Sequence, residues 1–328
     1  MATIKDVAKA SGYGIATVSY ALNDHPKIPE NTKKKILEIA KQLNYVPNAS
    51  ARTLKTKKSY KVGIFVPGFK GNVHPTILAG ITSVFKNDRS KYKMLVTIVD
   101  PEFLLVYEKQ IDLALIIGGH VEKERIIDIS KHIPVVLVDN QIQYNNVYNT
   151  YIDNYNGIIK RVKDFYKKGA NRFIYISGTK NSNHNTERLE GFKQGIKDCN
   201  LKIEDQVILE ANAFDSNRGH QVMKDFLNGN KMDYNALICA NDELAFGAIE
   251  ALKEANYSVP NDILVSGFDN IDKCNYHVPT LSTINVDWYH YGITLGQMML
   301  DILEDRTVEK EIYISSELVD RESGEKLQ

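Results

Sequence analysis

From Tyr60 onward the sequence alternates between two hydrophobic periods, and no other feature limits its fold as much. Short apolar, β-rich runs recur: KVGIFV (61–66), KMLVTIV (93–99), LALII (113–117), PVVLV (134–138), RFIYIS (172–177), ALICA (236–240) and ILVSGF (263–268). Between them lie amphipathic stretches with helical spacing. Strand–helix alternation of this kind is the signature of an α/β domain with parallel sheets. At 328 residues the chain is too long for one simple core, so two or three domains are expected.

The first sixty residues carry helical periods only. Thr3 precedes an apolar run and Asp6 stands three positions on, a capping-box spacing. Ile4, Val7 and Ala8 then share one helical face. Gly12 and Gly14 bracket a tight turn. Ile15, Val18 and Leu22 form the stripe of a second helix, stopped by Asn23-Asp24-His25-Pro26. Ile36, Ile39, Ala40 and Leu43 form that of a third, starting after Pro29. Two short helices joined by a glycine turn and braced by a third make a helix-turn-helix, although any small three-helix bundle shares the pattern. Charge sharpens the reading. The net charge of zero splits into eleven Lys/Arg against four Asp/Glu up to Tyr60, and thirty against thirty-seven beyond it. A basic head on an acidic body implies a polyanion partner for the head, or else a solvated face such as Lys33-Lys34-Lys35.

Several classes are set aside by what the sequence lacks. No apolar run reaches the ~18 residues of a membrane span, and the N-terminus lacks the apolar stretch of a secretory signal. Cys199, Cys239 and Cys274 are sparse, odd in number and without a CxxC, so neither a disulfide framework nor a zinc site is expected, and a cytoplasmic location is. A dinucleotide-binding enzyme would need GxGxxG after the first strand, where PGFKGN stands. His74, His120 and His184 show no metal-ligand spacing. Neither catalysis nor a cofactor is expected.

The words TIKDVAKASGYGIATVSYALN and KKKILEIAKQLNYVPNASARTLK closely resemble the opening of the lactose/galactose-repressor family of bacterial regulators. The resemblance implies a sequence-specific, DNA-binding operon repressor, acting as a homodimer on a near-palindromic operator. Carried over residue by residue, it puts Ile15, Ala16 and Tyr20 against base edges in the major groove. Thr17, Ser19, Asn23, Thr32, Tyr45 and Asn48 fall at phosphate-contacting positions, and Thr3 and Ala51 complete the DNA-facing set. Hydroxyl and amide groups on phosphates fix register while a few side chains read sequence. Tyr20 stands where Arg is frequent in the family, and Gly14 where Ser is. Ile15 is equally readable as a core residue. Residues 48–59 resemble the family's hinge helix and linker. A helix of about eight residues is marginal alone in water, so folding on DNA is expected. Leu54 matches the minor-groove wedge, with Lys55 beside it.

The resemblance continues through the body. It implies a periplasmic-binding-protein-like effector domain over 60–328, in which two parallel-sheet subdomains flank a cleft. One covers about 60–156 and 287–313, the other about 157–286 and 314–328. The head is then 1–47. For the effector the family pattern supplies Asp139 from LVDN, Arg188 from NTERLEGF, Asn241 from CANDELAFG and Asp269 from VSGFDN. Phe214 and Trp288 fall at aromatic cleft positions, with His74 and His184 at looser ones. Arg, Asn and Asp suit adjacent hydroxyls and an aromatic face suits a sugar's C–H side, so a sugar or sugar phosphate is expected. Asp242 reads better as a cap of the following helix, and Trp288 is also readable as core. Val73 and His74 stand where purine-binding members carry stacking aromatics. Gln297 stands where catabolite-control members carry the Arg that pairs with a phosphoserine partner. The segment from Pro101-Glu102 to Asp112 is short for the family, so its helix must be short. The tail ISSELVDRESGEKLQ has no leucine heptads for a four-chain bundle.

Overall fold

The computed structural model describes residues 2–23, 25–46, 58–68, 71–87, 91–99, 103–118, 121–138, 140–229 and 233–325. Two compact units divide between Ser59 and Tyr60. The first holds α1 (Ile4–Ser11), α2 (Ile15–Leu22) and α3 (Glu30–Gln42). Thr3 opens α1, its N–H and Oγ1 both donating to the Asp6 carboxylate, at 2.8 and 2.7 Å. Gly12 closes α1 at φ 75°, the left-handed conformation that costs a residue without Cβ nothing. Val7, Ala8, Val18, Ala21, Ile36 and Ala40 form the core, with Leu22, Ile39, Leu43 and Tyr45 packed around it. The expected Ile15–Val18–Leu22 stripe is corrected in one place. Ile15 is 47% exposed and Ala21 takes the core position.

The second unit contains two parallel sheets. The first joins β1 (Lys61–Val66), β2 (Lys93–Ile98), β3 (Leu113–Ile117), β4 (Val135–Val138), β5 (Val147–Ile152) and β11 (Glu311–Ile314) in the order β11-β5-β4-β3-β1-β2. The other joins β6 (Phe173–Ser177), β7 (Val207–Glu210), β8 (Ala236–Cys239) and β9 (Leu264–Ser266) in the order β7-β6-β8-β9. β10 (Thr283–Asn285) and β12 (Glu317–Val319) form an antiparallel ribbon. The sequences of the strands explain their places. LALII and VVLV are buried at every residue and sit centrally, whereas β2 is half-buried or exposed at every residue and takes an edge.

Helices α4 (Val73–Asn87), α5 (Leu104–Tyr107) and α6 (Lys123–Ser130) accompany the first sheet, α5 being the short helix expected before Asp112. Helices α7 (Asn154–Lys167), α8 (Asn183–Asp198), α9 (Ser216–Gly229) and α10 (Asp242–Glu254) follow in the second half, and α11 (Trp288–Leu303) packs back against α4. Close approach at that crossing requires glycine: a Cβ on Gly292 would lie 2.2 Å from the Ile77 carbonyl oxygen. The chain passes between the halves three times, at 152–154, 285–288 and 314–317. In both sheets the strand order reverses, between β1 and β3 and between β6 and β8. A crevice opens at the carboxyl ends of strands at such reversals.

Candidate functional site

That crevice is a cavity of about 330 Å³. Its walls are the segments following the strands: Pro67 after β1, Gly118 after β3, Thr179 after β6, Asn241 after β8 and Asp269 after β9. Seven of the eight residues expected at an effector site line it: His74, His184, Arg188, Phe214, Asn241, Asp269 and Trp288. The eighth, Asp139, lies outside the described residues.

Arg188 is held from three sides. Helix α8 is pinned to the end of β6 by Asn185, whose Oδ1 accepts from the Gly178 N–H at 2.6 Å and whose Nδ2 donates to Ser177 Oγ at 3.1 Å. One turn on, Arg188 Nε donates to Asn154 Oδ1 at 2.8 Å, Nη1 to the Ala240 carbonyl at 2.6 Å and Nη2 to Asp269 Oδ1 at 3.4 Å. Its guanidinium lies 3.6 Å from the centre of the Phe268 ring. Asp269 sits at φ 108°, a conformation uncommon for a residue with a Cβ, held by its N–H on the Ile284 carbonyl. Its own carbonyl accepts from Trp288 Nε1 at 2.8 Å. Trp288 is thus mostly buried, yet it lines the cavity.

The cap of α10 is Asn241, not Asp242. Asn241 Oδ1 accepts from the Leu244 N–H at 3.0 Å, and its Nδ2 donates to the Phe214 carbonyl at 3.1 Å. Asp242 is the first helical residue and is fully buried. Its carboxylate accepts from Thr283 Oγ1 at 2.5 Å, the Ile271 N–H at 3.0 Å and Cys274 Sγ at 3.2 Å. Burial, then repulsion from Asp269, raises its pKa to about 7. Burial likewise raises Asp269 to about 6, against the pull of Arg188. His184 Nδ1 lies 2.8 Å from Asn154 Nδ2, and burial, with Arg188 and His74 nearby, pushes its pKa down to about 3. Burial also lowers His74, whose Nδ1 is buried without a hydrogen-bond partner. Sequence reasoning missed Asn154, the residue that joins Arg188 to His184. Its one signal is its place two residues after β5, at the start of α7, and that strand was itself not recognised.

On the head, Ile15, Ala16 and Tyr20 are exposed along α2, and Thr17 and Ser19 are half-buried beside them. Positions 15, 16, 19, 20 and 23 fall on one helical stripe. The Tyr20 ring lies against His25, centroids 4.7 Å apart. Asn23 Nδ2 donates to the Ser19 carbonyl at 2.7 Å. Thr32 and Tyr45 are half-buried, Tyr45 packing on the small core, and Thr3 serves the α1 cap. Asn48, Ala51, Leu54 and Lys55 lie outside the described residues. Among the described residues no helix is long and apolar enough to cross a membrane.

A three-helix head with an exposed face along its second helix, followed by a two-sheet body around a polar-rimmed cavity, fits the class of ligand-controlled DNA-binding regulators. Comparison with known proteins gives the family. Residues 3–48 match the model of bacterial regulatory proteins, lacI family, and residues 162–324 match a periplasmic binding protein-like domain. The regulator RegA of Clostridium saccharobutylicum is 31% identical over 98% of this chain and 99% of its own. The lac repressor dimer bound to operator and the anti-inducer ONPF superposes with TM-score 0.84 over 98% of each chain, at 23% identity. A LacI family regulator from Enterococcus faecium with bound ribose gives TM-score 0.73 at 23% identity, covering 82% of this chain and 100% of that one. The chain belongs to the lacI family of bacterial regulatory proteins. It is a sequence-specific DNA-binding transcription repressor controlled by a small-molecule effector.

Proposed function

We propose that this repressor binds a near-palindromic operator as a homodimer and that a carbohydrate in the cavity between its two sheets sets its affinity for DNA. The observation that carries the effector half is the convergence of Arg188, Asp269, Asn241, Phe214 and Trp288 on one 330 Å³ space at the strand-order reversals of both sheets. Directional polar groups beside two aromatic rings suit a hydroxylated ring. On the DNA side, Ile15, Ala16 and Tyr20 read base edges, while Thr3, Thr17, Ser19, Asn23, Thr32, Tyr45 and Asn48 position the head on the backbone. Ala51, Leu54 and Lys55 enter the minor groove as the hinge folds. Exposed Ile15 and Tyr20 support this reading, because a bundle this small has reason to bury such side chains.

Dimerisation has its own support. The edge strand β2 presents Ile98, 55% exposed, and Tyr276 and Val278 are 82% and 80% exposed. A bare sheet edge with apolar side chains is a template for a partner, and one recognition helix reads too few bases alone. The test is operator selection from random duplexes, followed by binding of two variants across the selected library. Tyr20→Ala is expected to relax discrimination at one base pair of each half-site by about 1–3 kcal/mol. Ser19→Ala should weaken all sequences alike. Equal profiles for the two variants would sink the assignment, and a selected site without two-fold symmetry would sink the dimer.

A further inference from the structure

Charge in the cavity is lopsided. Leaving aside Asp242, which is fully buried, engaged by Thr283, Ile271 and Cys274 and kept protonated up to about pH 7, its described lining residues include two carboxylates, Glu243 and Asp269, and a single cation, Arg188. Three of that cation's five N–H groups donate within the chain, from Nε, Nη1 and Nη2, the last to the Asp269 carboxylate that offsets its charge, and Phe268 covers one guanidinium face. The histidines add no positive charge near neutral pH, since burial lowers both His74 and His184. Hydrogen-bonding capacity for hydroxyls is in surplus. Asp269 engages Arg188 through Oδ1 alone among the described residues, and His74 Nδ1 is buried with no partner. A ligand hydroxyl donates to a carboxylate oxygen and pairs with an imidazole nitrogen in either tautomer. A phosphate dianion or a carboxylate has no such proton to give near neutrality and would be desolvated beside like charges.

We infer that the cavity selects uncharged, hydroxyl-rich ligands over their acidic or phosphorylated counterparts, with Asp269 setting the choice by occupying Arg188. This narrows the sugar-or-sugar-phosphate expectation to its neutral member, and it rests on the carbohydrate reading above.

The experiment titrates the full-length protein with matched pairs: ribose and ribose 5-phosphate, glucose and glucuronate, glucose and glucose 6-phosphate, galactose and galacturonate, cellobiose and cellobionate. Emission from Trp288, the chain's only tryptophan, reports directly from the cavity wall, with calorimetry as a second readout. At least one uncharged member is expected to bind, and its anionic counterpart to bind at least about a hundredfold more weakly. Asp269→Asn keeps the side chain's shape, tolerates a positive φ and releases Arg188 Nη2. In that variant the neutral sugar should bind more weakly and the anionic partner more tightly than in the parent. An anion that matches or exceeds its neutral partner in the parent overturns the charge inference and leaves the carbohydrate reading standing. Binding by neither member of any pair overturns both. Loss by the same factor for both members in Asp269→Asn removes Asp269 from the role.

Discussion

Asp242 is a carboxylate in a place where water cannot reach it, and its three donors only partly offset that burial. The consequence for stability has a definite sign. The unfolded chain releases this proton near the ordinary aspartate value of 3.8, whereas the folded protein keeps it to about pH 7. The folded state therefore binds the extra proton between those values. The stabilisation is complete below about pH 4 and is lost as pH rises through 7. Asp242→Asn removes the titrating group. Its stability relative to the parent, from urea unfolding at a series of pH values, should improve from pH 5 to about pH 7 and then level off, against a constant loss from mismatched donors. A pH-independent difference would mean that Asp242 stays ionised in the fold. The same residue marks a limit of reading by sequence. In CANDEL both Asn241 and Asp242 are good caps, and only the backbone decides which precedes the first helical turn. Ile15 is a similar case: helical spacing gives the period of α2, but Val18–Ala21 and Ile15–Val18 are both compatible with it until neighbours choose the buried face.

Among the elements, all seven apolar runs from KVGIFV to ILVSGF became strands, and the three head helices fell where their stripes lay. The strands that escaped notice did so for two reasons. In β5, VYNTYI, polar residues occupy buried positions because the strand lies inside the sheet: Asn149 Oδ1 accepts from the Ile142 N–H at 3.1 Å and its Nδ2 donates to the Ile142 carbonyl at 3.0 Å. The Thr150 hydroxyl meets the Leu137 carbonyl at 2.9 Å and Tyr291 Oη at 2.5 Å. Long-range partners of this kind leave no local trace. β7 and β10 through β12 run three or four residues each and, unlike the equally short β4, β8 and β9, are not buried throughout, so no continuous apolar run marks them. Helix contacts were equally silent, although their glycines are informative once placed. Gly292→Ala should cost about 1–3 kcal/mol in urea unfolding, because the new methyl meets backbone on α4 that cannot step aside. Gly229→Ala, with nothing within 4 Å of its Cβ position, serves as the comparison and should change little. Equal effects would show that the α4–α11 crossing opens freely.

At the scale of the whole molecule, Arg188, Asn241 and Asp269 were legible as words in three separate stretches, while their meeting at one cavity depended on strand order. The exposed edge of the first sheet bears on assembly. Ile98→Glu puts a charge on β2 where a partner is proposed to sit, at a position already open to water in the single chain. Sedimentation should show a shift toward monomer and a loss of operator binding with unchanged unfolding of the monomer. A dimer of undiminished strength would move the interface elsewhere. The interleaved path of the chain has a further consequence. β11 completes the first sheet only after the second has been made, and β12 returns at once to the ribbon beside that second half. Neither half is therefore a continuous stretch of gene. A stop codon before residue 311 strips a strand from both halves together, and a single protease nick at any one crossing leaves two covalent ties in place. Such a nicked protein would be expected to migrate as fragments in detergent yet behave as one particle in buffer.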